Sequence, residues 1–266
     1  MKNIFSGKTI LITGSTDGLG KALAIKLASK DTEILLHGRN KAKGEMVINE
    51  IMTKYNNARL SYYNADFSLL DEVNSLSNKL LEENKHIDIL INNAGMATYN
   101  YVKTNIGMEM TMTVNYLSQV LLTEKLLSLI PHATGKIINV ASASQATVDF
   151  SDFAMEKYFE GYSAYSKSKT ALIMYTLDLA ERLKNSNIAV NALHPATLMN
   201  TNMVGKSLAL NSVDSGVSAI EALLHNNNSG NYFSGTRLSG GITQIYDRES
   251  RNLLNKITLE ILKNYL

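Results

Sequence analysis

The sequence contains no cysteine, and only two of its 266 residues are proline. Without thiols the chain can form no disulfide and no cysteine-ligated zinc site, and it has no thiolate nucleophile. No run approaches the roughly 18 apolar residues that a membrane-spanning helix requires, and the polar segment before the first strand is too short for a signal peptide. We therefore expect a cytoplasmic protein without a membrane span.

The sequence also lacks an excess of charge of one sign. The formal net charge is +2, and the 19% of charged residues are spread along the chain. Neither a nucleic-acid-binding stripe nor a polybasic membrane patch stands out, so we expect a small-molecule partner and no nucleic acid. The five histidines show no metal-ligand spacing, and no metal site is predicted. They are His37, His86, His132, His194 and His225.

Short β-branched runs alternate with segments of helical periodicity along the whole chain, with no linker and no internal repeat. Strands are predicted at 9–13, 33–37, 60–64, 87–92, 136–140, 188–193 and 231–234. Helices are predicted at 20–30, 41–55, 69–83, 107–129, 162–183 and 251–265. This alternation predicts an α/β fold, a doubly wound (Rossmann) parallel sheet of about seven strands with helices on both faces. We expect one domain over 1–266, with a cofactor half of about 1–135 and a catalytic and substrate half of about 136–266.

Three glycines lie between the first strand and the first helix. Gly14, Gly18 and Gly20 follow the spacing G-x-x-x-G-x-G, and they let a phosphate approach backbone N–H groups at a helix N-terminus. The turn is a candidate dinucleotide site. The alternative is that these glycines simply end a strand.

The residues after the second strand bear on the choice of cofactor. An NAD enzyme commonly places a carboxylate there for the ribose diol, whereas this chain has Gly38, Arg39 and Asn40. A guanidinium suits a 2′-phosphate, so NADP(H) is the preferred cofactor, and NAD(H) stays open. The alternative is an ordinary exposed arginine, because Asp17 nearby is unfavourable to a phosphate.

Four features taken together resemble the short-chain dehydrogenase/reductase family over essentially the whole chain. They are the glycine turn, Asn92-Asn93-Ala94-Gly95 after strand four, Ser142 after strand five, and Tyr165-x-x-x-Lys169 on a predicted helix. A second pair, Tyr99 and Lys103, lacks those surroundings. The chain is most similar to the retinol-dehydrogenase-like branch. Ser142 and Tyr165 are 23 positions apart, residues 230–234 resemble that branch's late strand, and His194-Pro195 follows strand six as it does there.

The resemblance implies a catalytic tetrad of Asn115, Ser142, Tyr165 and Lys169. Tyr165 is then the proton donor and acceptor, Ser142 the second donor to the substrate oxygen, and Asn115 the support of a water linked to Lys169. The spacing of i and i+4 places the Tyr165 phenol and the Lys169 ammonium on one helix face. We therefore expect the ammonium to lower the tyrosine pKa.

The resemblance also implies the residues that contact the cofactor. Asp66 and Phe67 match the family's residues that contact the adenine, and the turn after strand four would pass close to the adenosine half of the cofactor. Lys169 would hold the nicotinamide ribose. The full set is Gly14, Ser15, Asp17, Gly18, Leu19, Gly20, Arg39, Asn40, Asp66, Phe67, Asn93, Ala94, Gly95, Tyr165, Lys169, Pro195 and Thr197. After strand six the chain departs from the family's pattern, with Ala196 for a glycine and Asn200 for a threonine, and Thr201 is a candidate substitute.

The substrate and the assembly are less defined. Residues 149–161 and 203–210 are predicted to frame a partly aromatic pocket that includes Tyr158, Phe159 and Tyr162. The resemblance favours hydride transfer between NADP(H) and a lipophilic ketone, aldehyde or alcohol. The alternatives are a catalytically idle NADP(H)-binding sensor or regulator, and an epimerase or dehydratase using the same tyrosine and lysine. By analogy we expect a homodimer or homotetramer, paired through the two helices that carry Asn115 and Tyr165.

Overall fold

A computed structural model describes residues 4–29, 31–56, 58–197, 199–200 and 210–266. One sheet has the strand order β3-β2-β1-β4-β5-β6-β7-β8. Its strands are β1 Thr9–Ile12, β2 Glu33–Gly38, β3 Arg59–Asn64, β4 Ile89–Asn92, β5 Lys136–Val140, β6 Ala189–His194, β7 Asn231–Ser234 and β8 Arg237–Leu238. All neighbours pair in parallel except β8, which returns antiparallel on β7. The predicted doubly wound sheet is confirmed, with one short strand more than expected.

Helices cover both faces of this sheet. They are α1 Gly18–Ala28, α2 Lys41–Lys54, α3 Leu70–Glu83, α4 Met110–Met112, α5 Ser118–Leu126, α6 Gly161–Arg182, α7 Val213–Leu224 and α8 Arg248–Leu262. One hydrophobic cluster joins the sheet to α1, α2 and α7, and the other joins it to α3, α5, α6 and α8. None of the described helices combines the length and hydrophobicity needed to cross a bilayer.

Helix α7 was not predicted from the sequence. Gly216 lies inside it, and an interior glycine lowers helix propensity by about 1 kcal/mol relative to alanine. Packing explains the glycine, because a Cβ there would lie 2.6 Å from Met199 Sδ and 3.0 Å from Leu19 Cδ1. Tertiary contact with α1 therefore outweighs the weak local signal.

The helix predicted at 107–129 is divided in the structure. Between α4 and α5 the chain forms a π-helical turn, Thr113–Leu117, and a 3₁₀ turn, Leu127–Leu129, follows α5. A π turn inserted into an α-helix is rare and is frequently found at functional sites. This one contains Asn115.

Helix α8 packs against α6 and the π turn. Its buried side chains Leu254 and Leu262 belong to the same hydrophobic cluster as Tyr116, whose hydroxyl is 2.7 Å from Thr258 Oγ1. The Arg251 guanidinium reaches Asp178 of α6 at 3.2 Å. Helix α8 thus covers apolar surface of α6 and the π turn. The expected pairing through the helices that carry Asn115 and Tyr165, and the oligomeric state itself, stay predictions.

Candidate active site

The predicted tetrad gathers at the carboxyl edge of the central strands. Ser142 lies two residues beyond β5, Tyr165 and Lys169 lie on α6, and Asn115 lies in the π turn. In parallel sheets of this order, ligands bind outside the carboxyl ends of the strands, near the point where the strand order reverses. That point falls between β1 and β4, next to these residues.

Lys169 is the buried centre of the site. Its side chain is 4% exposed, and its ammonium donates a hydrogen bond of 2.8 Å to the carbonyl of Val140. A Cβ added to Gly95 would lie 3.4 Å from Lys169 Nζ and 3.3 Å from Asn115 Oδ1. The turn after β4, the π turn and α6 therefore meet at one place.

The electrostatics of the pair differ from the sequence expectation. Burial raises the pKa of Tyr165, and the hydrogen bond from Ser142 offsets this in part. Lys169 Nζ lies 5.7 Å from the centre of the Tyr165 ring and is bound to the Val140 carbonyl. The expected lowering of the tyrosine pKa is therefore wrong. At neutral pH the phenol keeps its proton, the form that carbonyl reduction requires.

Burial also lowers the pKa of Lys169, from 10.5 to about 8. Below pH 8 both the folded and the unfolded chain hold this proton, and the fold bears the cost of a buried ammonium. As the pH rises above about 8, the folded chain releases the proton first, so this cost declines progressively until the unfolded chain also loses its proton near 10.5.

We expect Lys169→Met to be more stable than the wild type at pH 7, because the buried charge is removed. The difference should shrink as the pH approaches 9.5. Urea unfolding of both proteins at the two pH values measures it, with Lys79→Met on the exposed side of α3 as the control. A stability difference that does not change with pH would contradict the role of the buried charge.

Asn115 is held rigidly by its amide. Its Oδ1 accepts a hydrogen bond of 2.8 Å from the Met96 backbone N–H, and its Nδ2 donates to Met96 O at 2.9 Å and to Ser168 Oγ at 3.0 Å. Asn115 therefore ties the turn after β4 to α6. No pattern in the sequence indicated Met96 or Ser168 as its partners.

Ser142 is fixed through both of its oxygens. Its Oγ accepts a hydrogen bond of 3.1 Å from the Ser144 backbone N–H and also bonds to the Tyr165 phenol. Its carbonyl accepts a bond of 3.0 Å from the Tyr232 hydroxyl. With one lone pair taken by Ser144, the hydroxyl hydrogen is free to point towards the phenol or a substrate oxygen.

The glycine turn has the form of a phosphate cradle. Gly14 and Gly18 have φ values of +64° and +50°, which favour glycine. A Cβ on Gly14 would lie 2.8 Å from Ala94 Cα, and one on Gly20 would lie 2.3 Å from Gly14 O. Asn93 Nδ2 donates to Thr13 O at 2.8 Å, which locks the turns after β1 and β4 together. The backbone at the start of α1 is thus open to a dinucleotide, and these residues fit one.

Three residues predicted at the cofactor are buried. Ser15 is 0% exposed, and its hydroxyl accepts from the His37 backbone N–H at 2.9 Å. Phe67 stacks on the His37 ring with centroids 4.2 Å apart, and Leu19 packs in the hydrophobic core. The Ser15 backbone N–H also donates, to His37 O at 2.8 Å, and the contact of these three residues with the cofactor stays a prediction.

His37 is a structural residue that the sequence reading missed. Its Nδ1 accepts from the Gly14 backbone N–H at 3.2 Å, and its Nε2 lies 3.1 Å from Ala65 O. Burial lowers its pKa to about 4, so it stays neutral near pH 7. A histidine at the end of an apolar strand was the available signal.

The residues around the end of β2 carry mixed charge. Arg39 is exposed, and Asn40 caps α2 by accepting from the Lys43 backbone N–H at 3.0 Å. The Asp17 carboxylate caps α1 and lies 3.7 Å from Lys43 Nζ. Asp66 accepts from the Ser68 backbone N–H. Lys43 therefore offsets the unfavourable charge of Asp17, and it is a second cation beside Arg39.

The segment after β6 is described only in part. Pro195 is buried, and Thr197 Oγ1 lies 3.1 Å from His194 Nε2 while its carbonyl accepts from Asn211 Nδ2. Asn200 is exposed and bonds through its backbone to Asn211. Thr201 and residues 203–209 of the expected pocket lie outside the described residues.

The other expected pocket segment lies beside the tetrad. Tyr162 is mostly exposed, with its hydroxyl 2.9 Å from Ser144 Oγ, and Tyr158 is also exposed. Phe159 contacts Tyr101 edge-to-face at 5.6 Å. In the second tyrosine–lysine pair, Tyr99 and Lys103, the lysine forms an ion pair with Glu156.

A concavity of about 720 Å³ opens at the opposite edge of the sheet, where β5 and β6 begin. None of the tetrad residues lines it, and ligands of such sheets bind at the carboxyl edge. We therefore assign the site by its chemistry and not by this cavity. Across the described ranges, no cluster of acidic and histidine side chains could hold a metal ion.

Comparisons with known proteins agree with this geometry. The family model described as short chain dehydrogenase matches residues 8–211. Human retinol dehydrogenase 11 is 36% identical over 195 residues, which cover 72% of this chain and 61% of that protein. Mouse retinol dehydrogenase 14 is 33% identical over 213 residues, covering 75% of this chain and 64% of that protein. The matched region thus spans less than two thirds of these relatives.

Solved structures show the same fold at lower identity. A putative uncharacterized protein from Mycobacterium paratuberculosis superimposes with a TM-score of 0.83 at 23% identity, covering 97% of this chain and 94% of that one. A short chain dehydrogenase from Burkholderia cenocepacia in complex with NADP has a TM-score of 0.69 at 22% identity, covering 89% and 98%. The family model and the curated relatives together show that the chain belongs to the short-chain dehydrogenase/reductase family of oxidoreductases, in its retinol-dehydrogenase-like branch.

Proposed function

We propose that this protein transfers a hydride between NADP(H) and a lipophilic ketone, aldehyde or alcohol. The observation that carries the proposal is the convergence of Ser142, Tyr165 and Lys169 beside Gly95 at the carboxyl edge of the sheet. A protonated phenol, a second hydroxyl and a buried ammonium are the groups that carbonyl reduction needs. The bound nicotinamide supplies the hydride or accepts it.

In reduction, Tyr165 donates its proton to the substrate oxygen as negative charge develops there. The Ser142 hydroxyl holds the same oxygen, and its orientation is fixed in advance by Ser144 and Tyr232. To stabilise the phenolate that remains, the Lys169 ammonium would have to leave the Val140 carbonyl, and it would also orient the cofactor ribose. Asn115 keeps the turn after β4 against α6, which preserves the distance between the cofactor side and the proton donor.

The retinol dehydrogenases among the relatives suggest the substrates to try first. Purified protein is mixed with NADPH and a panel of all-trans-retinal, aliphatic aldehydes and cyclic ketones, and NADPH absorbance is followed. We expect consumption with at least one lipophilic carbonyl. NADPH binding without consumption across the panel would favour the idle sensor. Substrate isomerisation or dehydration with the cofactor retained would favour an epimerase or dehydratase.

Cofactor preference is proposed to depend on Arg39. We expect Arg39→Asp to weaken NADPH binding by about 10- to 100-fold, the range of a lost charge-assisted hydrogen bond, and to leave NADH binding unchanged or stronger. Fluorescence titration with both cofactors measures this. Arg59→Asp, an exposed arginine at the far end of β3, is the control. Equal binding of both cofactors before and after the change would remove Arg39 as the selector.

A further inference from the structure

The loop that follows β5 is hydrogen-bonded to residues near the C-terminus. We call residues 142–148 the serine loop. The hydroxyl of Tyr232, in the middle of β7, donates a hydrogen bond of 3.0 Å to the carbonyl of Ser142. Tyr232 is 4% exposed, so its ring is fixed by packing. The catalytic serine is therefore tied to a strand two positions away in the sheet.

Two glutamines extend this attachment. Gln145 Oε1 accepts from the Ile242 backbone N–H at 3.0 Å, while Gln244 accepts from Val148 N at 2.7 Å and donates to Val148 O at 3.0 Å. A Cβ on Gly241 would lie 2.5 Å from Gln145 Oε1, so the close approach needs a residue without a side chain. Both ends of the serine loop are thus bound to one C-terminal segment.

We propose that Tyr232 is a positioning residue, which holds the serine loop so that the Ser142 hydroxyl faces Tyr165. The inference rests on the proposed function and deepens it. Tyr232 fixes the Ser142 carbonyl, and the Ser144 N–H fixes one lone pair of the Ser142 hydroxyl. Together these two bonds set the backbone and the side chain of the serine. Without the phenol hydroxyl, the Ser142 carbonyl loses its bond to the rigid strand.

The expected effect is on turnover and not on cofactor binding. Misplacing a reacting group by about 1 Å can cost on the order of a hundredfold in rate, so we expect Tyr232→Phe to lower kcat about tenfold. The glycine turn lies on other strands, so NADPH affinity should stay unchanged. The hydrogen bond from Ser142 lowers the Tyr165 pKa, and weakening it raises that pKa. The rise of alcohol oxidation with pH should therefore move to higher pH.

The test compares Tyr232→Phe with Tyr175→Phe. The Tyr175 hydroxyl is also buried and donates one bond of 2.9 Å, to Glu124 Oε1, but it lies away from the serine loop. For each protein we measure kcat, the NADPH dissociation constant, the pH profile of oxidation, and hydrogen–deuterium exchange of residues 142–148. The proposal expects a slower kcat, a shifted profile and faster exchange for Tyr232→Phe alone.

The possible outcomes support or overturn the positioning role of Tyr232. Equal kcat, pH profile and loop exchange in the wild type and Tyr232→Phe would overturn the proposal, as would equal effects of both variants. If Tyr232→Phe does not fold, Gln145→Met provides the same test from the other side of the loop. If the wild type turns over no substrate, the proposed function fails separately, and loop exchange still reports whether Tyr232 holds Ser142.

Discussion

Replacing Tyr165 with phenylalanine should reduce turnover by about 1,000-fold or more, because proton transfer by a positioned side chain contributes on the order of 10² to 10⁴ in rate. The change removes only the hydroxyl that carries the transferable proton. The ring, its place on α6 and the Lys169 bond to the Val140 carbonyl remain. NADPH affinity should therefore stay close to the wild-type value. Steady-state kinetics and fluorescence titration measure the two quantities.

Tyr99→Phe is the matched control for this variant. Tyr99 belongs to the second tyrosine–lysine pair, and its side chain is 97% exposed. We expect its turnover to equal that of the wild type. Turnover of Tyr165→Phe within tenfold of the wild type would mean that another group supplies the proton.

Alanine at Gly20 should abolish measurable NADPH binding at micromolar concentrations. The new Cβ would lie 2.3 Å from Gly14 O and 2.6 Å from Asn93 Nδ2, so the turn after β1 would have to move. That turn presents the backbone at the N-terminus of α1, where a pyrophosphate binds. The contact is with backbone, which cannot turn aside as a long side chain can. Titration with NADPH and thermal unfolding separate lost binding from lost folding.

Gly240→Ala is the control for the added methyl group. Its Cβ would come no closer than 3.9 Å, to the Tyr246 hydroxyl, and its φ is compatible with alanine. We expect its NADPH affinity and stability to match the wild type. Normal NADPH affinity in Gly20→Ala would show that the cofactor does not use this turn.

Local patterns predicted most of the architecture. The central strands β1, β2 and β4 are largely apolar runs, because both faces of the sheet are covered there, and such runs are easily recognised. Helix α7 was missed, since its glycine is there for contact with Met199 and Leu19 and no short-range pattern shows such contacts. The two-residue strand β8 and the π turn at Thr113–Leu117 leave no periodic signal.

The candidate site, like the fold, could be predicted from the sequence only in part. Motif spacing predicted residues that the structure brings together, such as Asn115, Ser142 and Lys169. It could not tell which side chains point inwards, and Ser15 and Phe67, both expected at the cofactor, are buried in the structure. Motif spacing also could not predict that burial raises the pKa of Tyr165. The Lys169 ammonium donates to the carbonyl of Val140, a residue 29 positions away in the sequence, and motif spacing does not show that bond.

Helix α8 covers one apolar face of the protein. Leu254, Thr258 and Leu262 pack against the inner helices, and the Tyr265 hydroxyl donates to Asp71 of α3, so residues near the end of the sequence cover this apolar face. A protein that docks on this face must first detach α8, and doing so would loosen the packing behind Asn115.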